Sequence, residues 1–423
     1  MTTTEPLAEE LTKGIGAAQR RKVGATGVTF LPEPEPRARL APIISVDDHV
    51  VEPAHVFEGR MPSHLRDQAP HIVETDDGTE EWIYGDLREG NLGLSAVVGR
   101  PIEECSSEPQ RYEHMRRGAW DPAARIHDMD INGIYASLNF PSALSGFGGQ
   151  RLQIGHDPEV GLAVVRAWNE WYREEWVEAH PGRFVFSQLP WLLDPVVAAD
   201  EVRRNAERGC RAVSFTEGPQ KLGLPSLHTG YWEPFIQACD ETDTVICLHV
   251  GSSSTIPTTS PDAPVDTVGT LFFGYAMFFA VDWLFSLIPV RHPNLKICMS
   301  EGGIGWVPAL LDRLDHMDRY HQIYGTWEGI DLTPAEVLQR NFWFCAIDDP
   351  TGFRVVDRIG EGHVMVESDY PHLDSLWPDT STILREQTAH LAPEVVEKVC
   401  WRNASELFRH PVPAEIQHHP FAF

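Results

Sequence analysis

Residues 43–49 read Ile43-Ile44-Ser45-Val46-Asp47-Asp48-His49, a β-branched apolar run that closes on an Asp-x-His pair. Side chains alternate between the two faces of a strand, so Asp47 and His49 point one way and Asp48 the other. A carboxylate and an imidazole side by side at a strand end can be two ligands of one metal ion. Three later stretches have the same form: Val245 to His249, Leu295 to Glu301, and His363 to Asp369. In a (β/α)8 barrel the carboxyl ends of the strands meet on one face, where active sites lie. Asp47, His49, His249, Glu301 and Asp369 can then share one site although they are spread along most of the chain.

Working outward, strand and helix signals alternate. A helix is expected from Asp121-Pro122, an N-cap followed by a proline at the first helical position. Strands follow at 134–138, 184–186, 212–215, 245–249, 295–300, 342–344 and 363–368, with helices over 157–179, 195–208, 231–241, 270–290, 305–322 and 393–408. Counting residues 43–49, eight strands separated by helices imply an α/β fold of the (β/α)8 (TIM) barrel type, although spacing alone does not dictate closure. Residues 1–40 read as a polar arm with a basic patch at 19–22 and a Pro-Glu linker at 33–37, and residues 411–423 as a tail. Between them, 41–410 is the barrel. Its long insertion at 52–118 follows the first strand, as a lid or pocket wall would.

Composition narrows the function classes. The chain has 423 residues and a net charge of −28 with no basic block to offset it, which excludes a nucleic-acid partner. Seven scattered cysteines, none in a CxxC pair, and no apolar leader lead us to expect a reducing cytoplasm without structural disulfides. Residues 270–290 are almost wholly apolar and long enough to span a bilayer, but Asp282 lies within and strands flank them. A buried barrel helix is the favoured reading and no membrane partner is expected. An apolar substrate pocket or a subunit contact is the further option, and with the arm this makes a homo-oligomer reasonable.

The segments SVDDHVVEP (45–53), ICLHVGS (246–252), RHPNLKICMSEGGIGWVPALLDRLD (291–315), ESDYPHLDSLWP (367–378) and WRNASELF (401–408) together resemble the amidohydrolase superfamily. The resemblance is to its amidohydrolase-2 branch, which includes decarboxylases of the aminocarboxymuconate-semialdehyde type. It implies a divalent metal held by Asp47, His49, His249 and Asp369. Many relatives carry a His at the end of the sixth strand, where this chain has Ser300-Glu301-Gly302-Gly303. Losing that imidazole removes a proton shuttle active near neutral pH, whereas Glu301 adds charge and two oxygens able to bridge two ions. Three carboxylates and two imidazoles suit two divalent ions, with iron or manganese fitting at least as well as zinc. The other reading has Glu301 ligating a single ion or acting as a base beside it.

Glu301 and Asp369 are therefore the catalytic candidates. His372, His228 and Glu52 are candidates for orienting the ligands or touching substrate, with His55 also close in sequence to the first motif. Some Glu-substituted relatives resemble nonheme diiron monooxygenases. On that resemblance the favoured expectation is two Fe ions and O2-dependent hydroxylation of a bulky hydrophobic acyl substrate, supplied by an electron donor. Phe272, Phe273, Phe278, Phe279, Trp283 and Trp306 would suit such a substrate, and a coenzyme A handle stays open. The alternatives are metal-dependent hydrolysis, with Asp369 taking and returning a proton, and non-oxidative decarboxylation.

Overall fold

The computed structural model describes residues 27–105, 109–256, 258–260, 262–321 and 324–417. The basic patch at 19–22 and residues 418–423 of the tail, with His418 and His419, lie outside the described residues.

In chain order the strands are β1 (Ile43–His49), β2 (His71–Glu74), β3 (Glu80–Tyr84), β4 (Leu87–Glu89), β5 (Ile134–Phe140), β6 (Phe184–Val185), β7 (Ser187–Gln188), β8 (Ala212–Phe215), β9 (Val245–His249), β10 (Ile297–Ser300), β11 (Phe342–Ala346) and β12 (Val364–Val366). All except β2 to β4 form one parallel sheet in the order β6-β5-β1-β12-β11-β10-β9-β8-β7. The two ends of that order, β6 and β7, are halves of a single stretch interrupted at Phe186. The first half pairs with β5 and the second with β8, so the expected third strand is split between two neighbours. This is the strand sequence of a TIM barrel, with the ladder broken at that one seam. Strands β1, β5 and β9 are buried along their whole length, as in a parallel sheet covered on both faces.

The helices begin where the backbone chemistry requires. Helices α1 (Pro122–Asn132), α2 (Pro158–Trp171) and α3 (Pro195–Glu207) each start at an Asp-Pro step. Asp121, Asp157 and Asp194 accept from the first free amides, and the proline sits where no amide partner is needed. Helix α4 (Glu233–Thr242) follows β8. Helix α5 (Val265–Phe285) starts before its apolar run, after Pro264, and ends before that run does, shortly ahead of Leu287 with its left-handed φ of 61°. By length and composition, Asp266–Phe285 could cross a membrane. Its Ala276, Phe279, Ala280, Trp283 and Leu284 are buried, but Phe273 and Phe278 stand 51% and 55% exposed. The expected buried helix is thus buried along one side only: apolar residues surround its axis and the barrel covers one face. Helix α6 (Val307–Tyr320) follows β10, and the shorter α7 (Pro334–Asn341), α8 (Thr380–Thr388) and the continuous helical stretch 393–407, close to the expected 393–408, complete the outer layer.

The insertion after β1 holds a small antiparallel sheet, β2-β3-β4, that the sequence reading did not anticipate. Its strands are only three to five residues long, and Trp82 and Tyr84 are its only buried side chains, too few to show a period. A cleft of about 830 Å³ lies between this sheet and residues 150–157. The described part of the arm lies against the chain's own barrel. The Leu31 amide donates to the Gly99 carbonyl, Arg37 pairs with Asp379 at 2.6 Å, and the Leu40 amide reaches Ser381.

Candidate metal centre

Strand β1 delivers Asp47 and His49 to the interior and turns Asp48 away, as alternation requires. Asp48 accepts from Ser45 Oγ at 2.8 Å, Ser368 Oγ at 2.6 Å and the Tyr370 amide, tying the end of β1 to the turn after β12. The Asp369 amide donates to the Asp47 carbonyl across the same junction. Arg125 donates to the His49 carbonyl and to Asn139, which holds the His49 backbone in place.

Four predicted ligands converge. His49 Nε2 lies 3.4 Å from Asp47 Oδ1, 3.4 Å from Asp369 Oδ1 and 3.1 Å from His249 Nε2. His249 Nε2 is 3.5 Å from Asp47 Oδ1 and 3.5 Å from Glu301 Oε2. Ligand atoms about 2.0–2.2 Å from a shared ion stand roughly 3.0–3.5 Å apart, so these separations are those of a coordination shell. Both oxygens of Asp47 and of Asp369 are buried and accept no hydrogen bond. A buried carboxylate in that state is costly unless a cation completes it. The donor set therefore fits a divalent metal, and Asp47, His49, His249 and Asp369 are the residues that would hold it.

The electrostatics agree. Burial, then the charges of Glu367, Glu301 and Asp369, push Asp47 well above the usual carboxylate range. Burial and neighbouring carboxylates do the same to Glu301 and Asp369. Burial lowers His249 to about 3 and carries His49 well down as well, so both imidazoles are neutral and free to ligate. A cation among these groups would offset the repulsion that raises the carboxyls.

Glu301 joins the cluster from the end of β10, with its side chain 16% exposed while the four converging ligands are sealed. It and Asp369 both adopt left-handed backbone, at φ 54° and 49°. Non-glycine residues there cost of order 1–3 kcal/mol each, strain of the kind that gathers at functional sites. His372 Nδ1 lies 3.1 Å from Asp369 Oδ1, and its ring packs 3.9 Å from that of His49. His49, Asp369 and His372 thus form a second donor group overlapping Asp47, His49 and His249.

Other candidates lie elsewhere. His228 sits on a surface turn and pairs with Asp282 at 2.8 Å. His55 pairs with Glu175 at the surface. Glu52 is buried, and its Oε1 accepts from Ser145 and Trp168, outside the converging donors. Trp283 packs on Phe215 and Trp306 on Phe344 as core. Sequence reasoning missed Glu367, whose Oε2 accepts the Glu301 amide at 3.1 Å, and Glu217 beside β8. Glu367 follows β12 directly, and the same strand-end pattern could have found it.

Burial pushes the Glu217 carboxyl up to about 8. The folded chain then keeps a proton that the unfolded chain, with a carboxyl near 4.3, releases. Stability from this residue is present below about pH 4 and falls as pH rises towards 8. Glu217→Gln is expected to flatten that decline, seen as a Tm advantage over the wild type that grows from pH 5 to pH 8. An advantage independent of pH would contradict the assignment.

A family model described as amidohydrolase matches residues 64–410. No curated protein matches. Among solved structures, the chain is similar to an amidohydrolase from Mycobacterium avium subsp. paratuberculosis (20% identity, 88% of this chain and 100% of that one, TM-score 0.69). It is also similar to 5-carboxyvanillate decarboxylase from Sphingomonas paucimobilis (21%, 87% and 99%, TM-score 0.60). A third neighbour is a dihydroxybenzoic acid decarboxylase from Polaromonas with bound manganese and an inhibitor, 2-nitroresorcinol (16%, 90% and 100%, TM-score 0.59). At these identities the neighbours speak for the fold, and with a family match over most of the barrel the chain belongs to the amidohydrolase family, as a metal-dependent enzyme of that superfamily.

Proposed function

We propose that the chain is a divalent-metal-dependent, non-oxidative decarboxylase of an aromatic or similarly unsaturated carboxylic acid. The observation that carries this reading is the Asp369–His372 pair, at 3.1 Å, on the edge of the ligand cluster. The strand-six imidazole absent at Glu301 is the main sequence-level objection to decarboxylation, and His372 returns an imidazole to the site. The decarboxylases among the structural neighbours, one with bound manganese, support the same class. This reading displaces the diiron monooxygenase expectation as the first choice, because decarboxylases stand among the structural neighbours and one of them holds manganese.

When bound, the metal would supply positive charge for the substrate's carboxylate and for electron density left by its departure. Asp369 relays the proton, which reaches it from solvent through His372 Nδ1, 3.1 Å away. The bond between ring carbon and carboxyl carbon breaks, and its electron pair stays on the ring carbon. CO2 leaves, that pair takes the proton from Asp369, and His372 passes a proton from solvent to Asp369, so one solvent proton is consumed for each CO2 released. Manganese-loaded protein is expected to release CO2 from members of a hydroxybenzoate panel without oxygen, placing one deuterium on the ring in D2O. Turnover that requires oxygen and a reductant would overturn this reading.

That second outcome has one observation behind it. Glu301, 3.5 Å from His249, adds a carboxylate beside the overlapping donor group of His49, Asp369 and His372, enough donors for two ions. Two irons per chain together with oxygen-dependent turnover would establish the oxidative alternative.

A further inference from the structure

Glu217 lies two residues beyond β8 at the barrel mouth, and it is 1% exposed. Its Oε1 accepts from the Gly251 amide at 2.9 Å, the Ser253 amide at 3.4 Å and the Ser253 hydroxyl at 2.8 Å. Its own amide donates to Ser252 Oγ at 2.9 Å. These four bonds span the loop that follows His249. Gly251 there has a φ of 90°, a backbone state that favours glycine and that the Glu217 carboxyl holds from one side. His249 Nδ1 contacts the Val250 carbonyl at 2.7 Å, so the path of this loop fixes the ring and the direction in which Nε2 points.

The same residue anchors α5. The Trp283 indole donates to the Glu217 carbonyl at 3.0 Å. The ring of Phe279 lies against Gly218, in space that any side chain at 218 would need. Ser253 Oγ is 2.8 Å from Thr255 Oγ1, which in turn bonds the Tyr275 hydroxyl of α5. The end of β8, the loop after His249 and the apolar helix at the mouth therefore meet at one buried carboxyl.

We infer that Glu217 is a positioning residue for the metal centre: it clamps the 250–253 loop and thereby aims His249 Nε2 at the ion. It acts through His249 and touches no reacting atom. The inference rests on His249 being a ligand, but not on which reaction the enzyme carries out. The outer partners of metal-ligating histidines are generally worth about 10–100-fold in metal affinity.

The test is calorimetric titration of chelator-stripped full-length protein with Mn2+, with circular dichroism and Tm recorded on the same samples. Glu217→Ala is expected to weaken Mn2+ binding by about 10–100-fold. Glu217→Gln keeps a carbonyl oxygen to accept from Gly251 and Ser253 and is expected to bind within about threefold of the wild type. Ser253→Ala, which removes one donor of three, should fall between them. A folded Glu217→Ala protein with wild-type Mn2+ affinity would overturn the inference, even with a lowered Tm. So would a Gln variant as weak as the Ala variant, because an acceptor for Gly251 and Ser253 would then not be what holds the loop. Wild-type protein that binds no Mn2+ would overturn the ligand assignment and this inference with it. Mn2+ binding by the wild type without CO2 release leaves the inference standing and removes only the proposed reaction.

Discussion

His249→Ala is expected to leave a folded protein that retains no divalent ion through purification and has lost turnover. His249 is one of two imidazoles whose Nε2 atoms face each other at 3.1 Å with carboxylate oxygens of Asp47 and Asp369 around them. Loss of a ligand should cost more than the about 10–100-fold in affinity that loss of an outer partner costs. The fold should survive, because a single ring is lost from a large buried core, leaving a cavity beside His49, Phe140 and Phe147, whose centroids lie 4.0–4.9 Å away. Elemental analysis and circular dichroism on one preparation check both halves of the expectation. A variant that keeps a wild-type ion content would remove His249 from the ligand set.

Asp48→Ala is expected to produce the largest loss of stability of any single change near the site while adding nothing to the chemistry. Its carboxylate is fully buried and receives Ser45, Ser368 and the Tyr370 amide, with the Arg125 guanidinium as the nearest opposing charge. Alanine strands the Ser368 hydroxyl and the Tyr370 amide and removes one of the two carboxylates, with Asp128, whose charge faces the buried Arg125. Leaving a buried donor unsatisfied costs about 1–3 kcal/mol each, more than a surface change. Asp48→Asn preserves shape and an acceptor and should lose less. The urea midpoint reads both variants, and an alanine variant with a wild-type midpoint would show that the β1–β12 junction is held by other contacts.

Much of this arrangement is legible in the sequence for one reason. The strand that buries both faces also has to end, and the first residue able to point into the mouth comes just there. Asp47, His49, His249, Glu301 and Asp369 are visible because each closes an apolar run, and the period-two alternation separates Asp47 from Asp48 without any structure. The broken third strand is not legible, since Phe184-Val185-Phe186 is as apolar as an intact strand and only the pairing of its halves with different neighbours reveals the seam. Glu217 is hidden for a related reason: its importance lies in bonds to residues more than thirty positions later. His228 shows the converse. Its position before a helix near the mouth suggested substrate contact, but Asp282, inside an otherwise apolar helix, takes it at the surface. Aromatic richness misled as well, because Trp283 and Trp306 fill the core while Phe273 and Phe278 face outward.

The central claim is that a divalent ion sits among Asp47, His49, His249 and Asp369, and the most direct measurement is metal content per chain on wild-type protein purified without added metal or chelator. At least one divalent ion per chain, removed by chelation together with activity and restored by manganese, is the predicted result. Protein that is free of metal and turns over equally well with and without chelator would contradict the account.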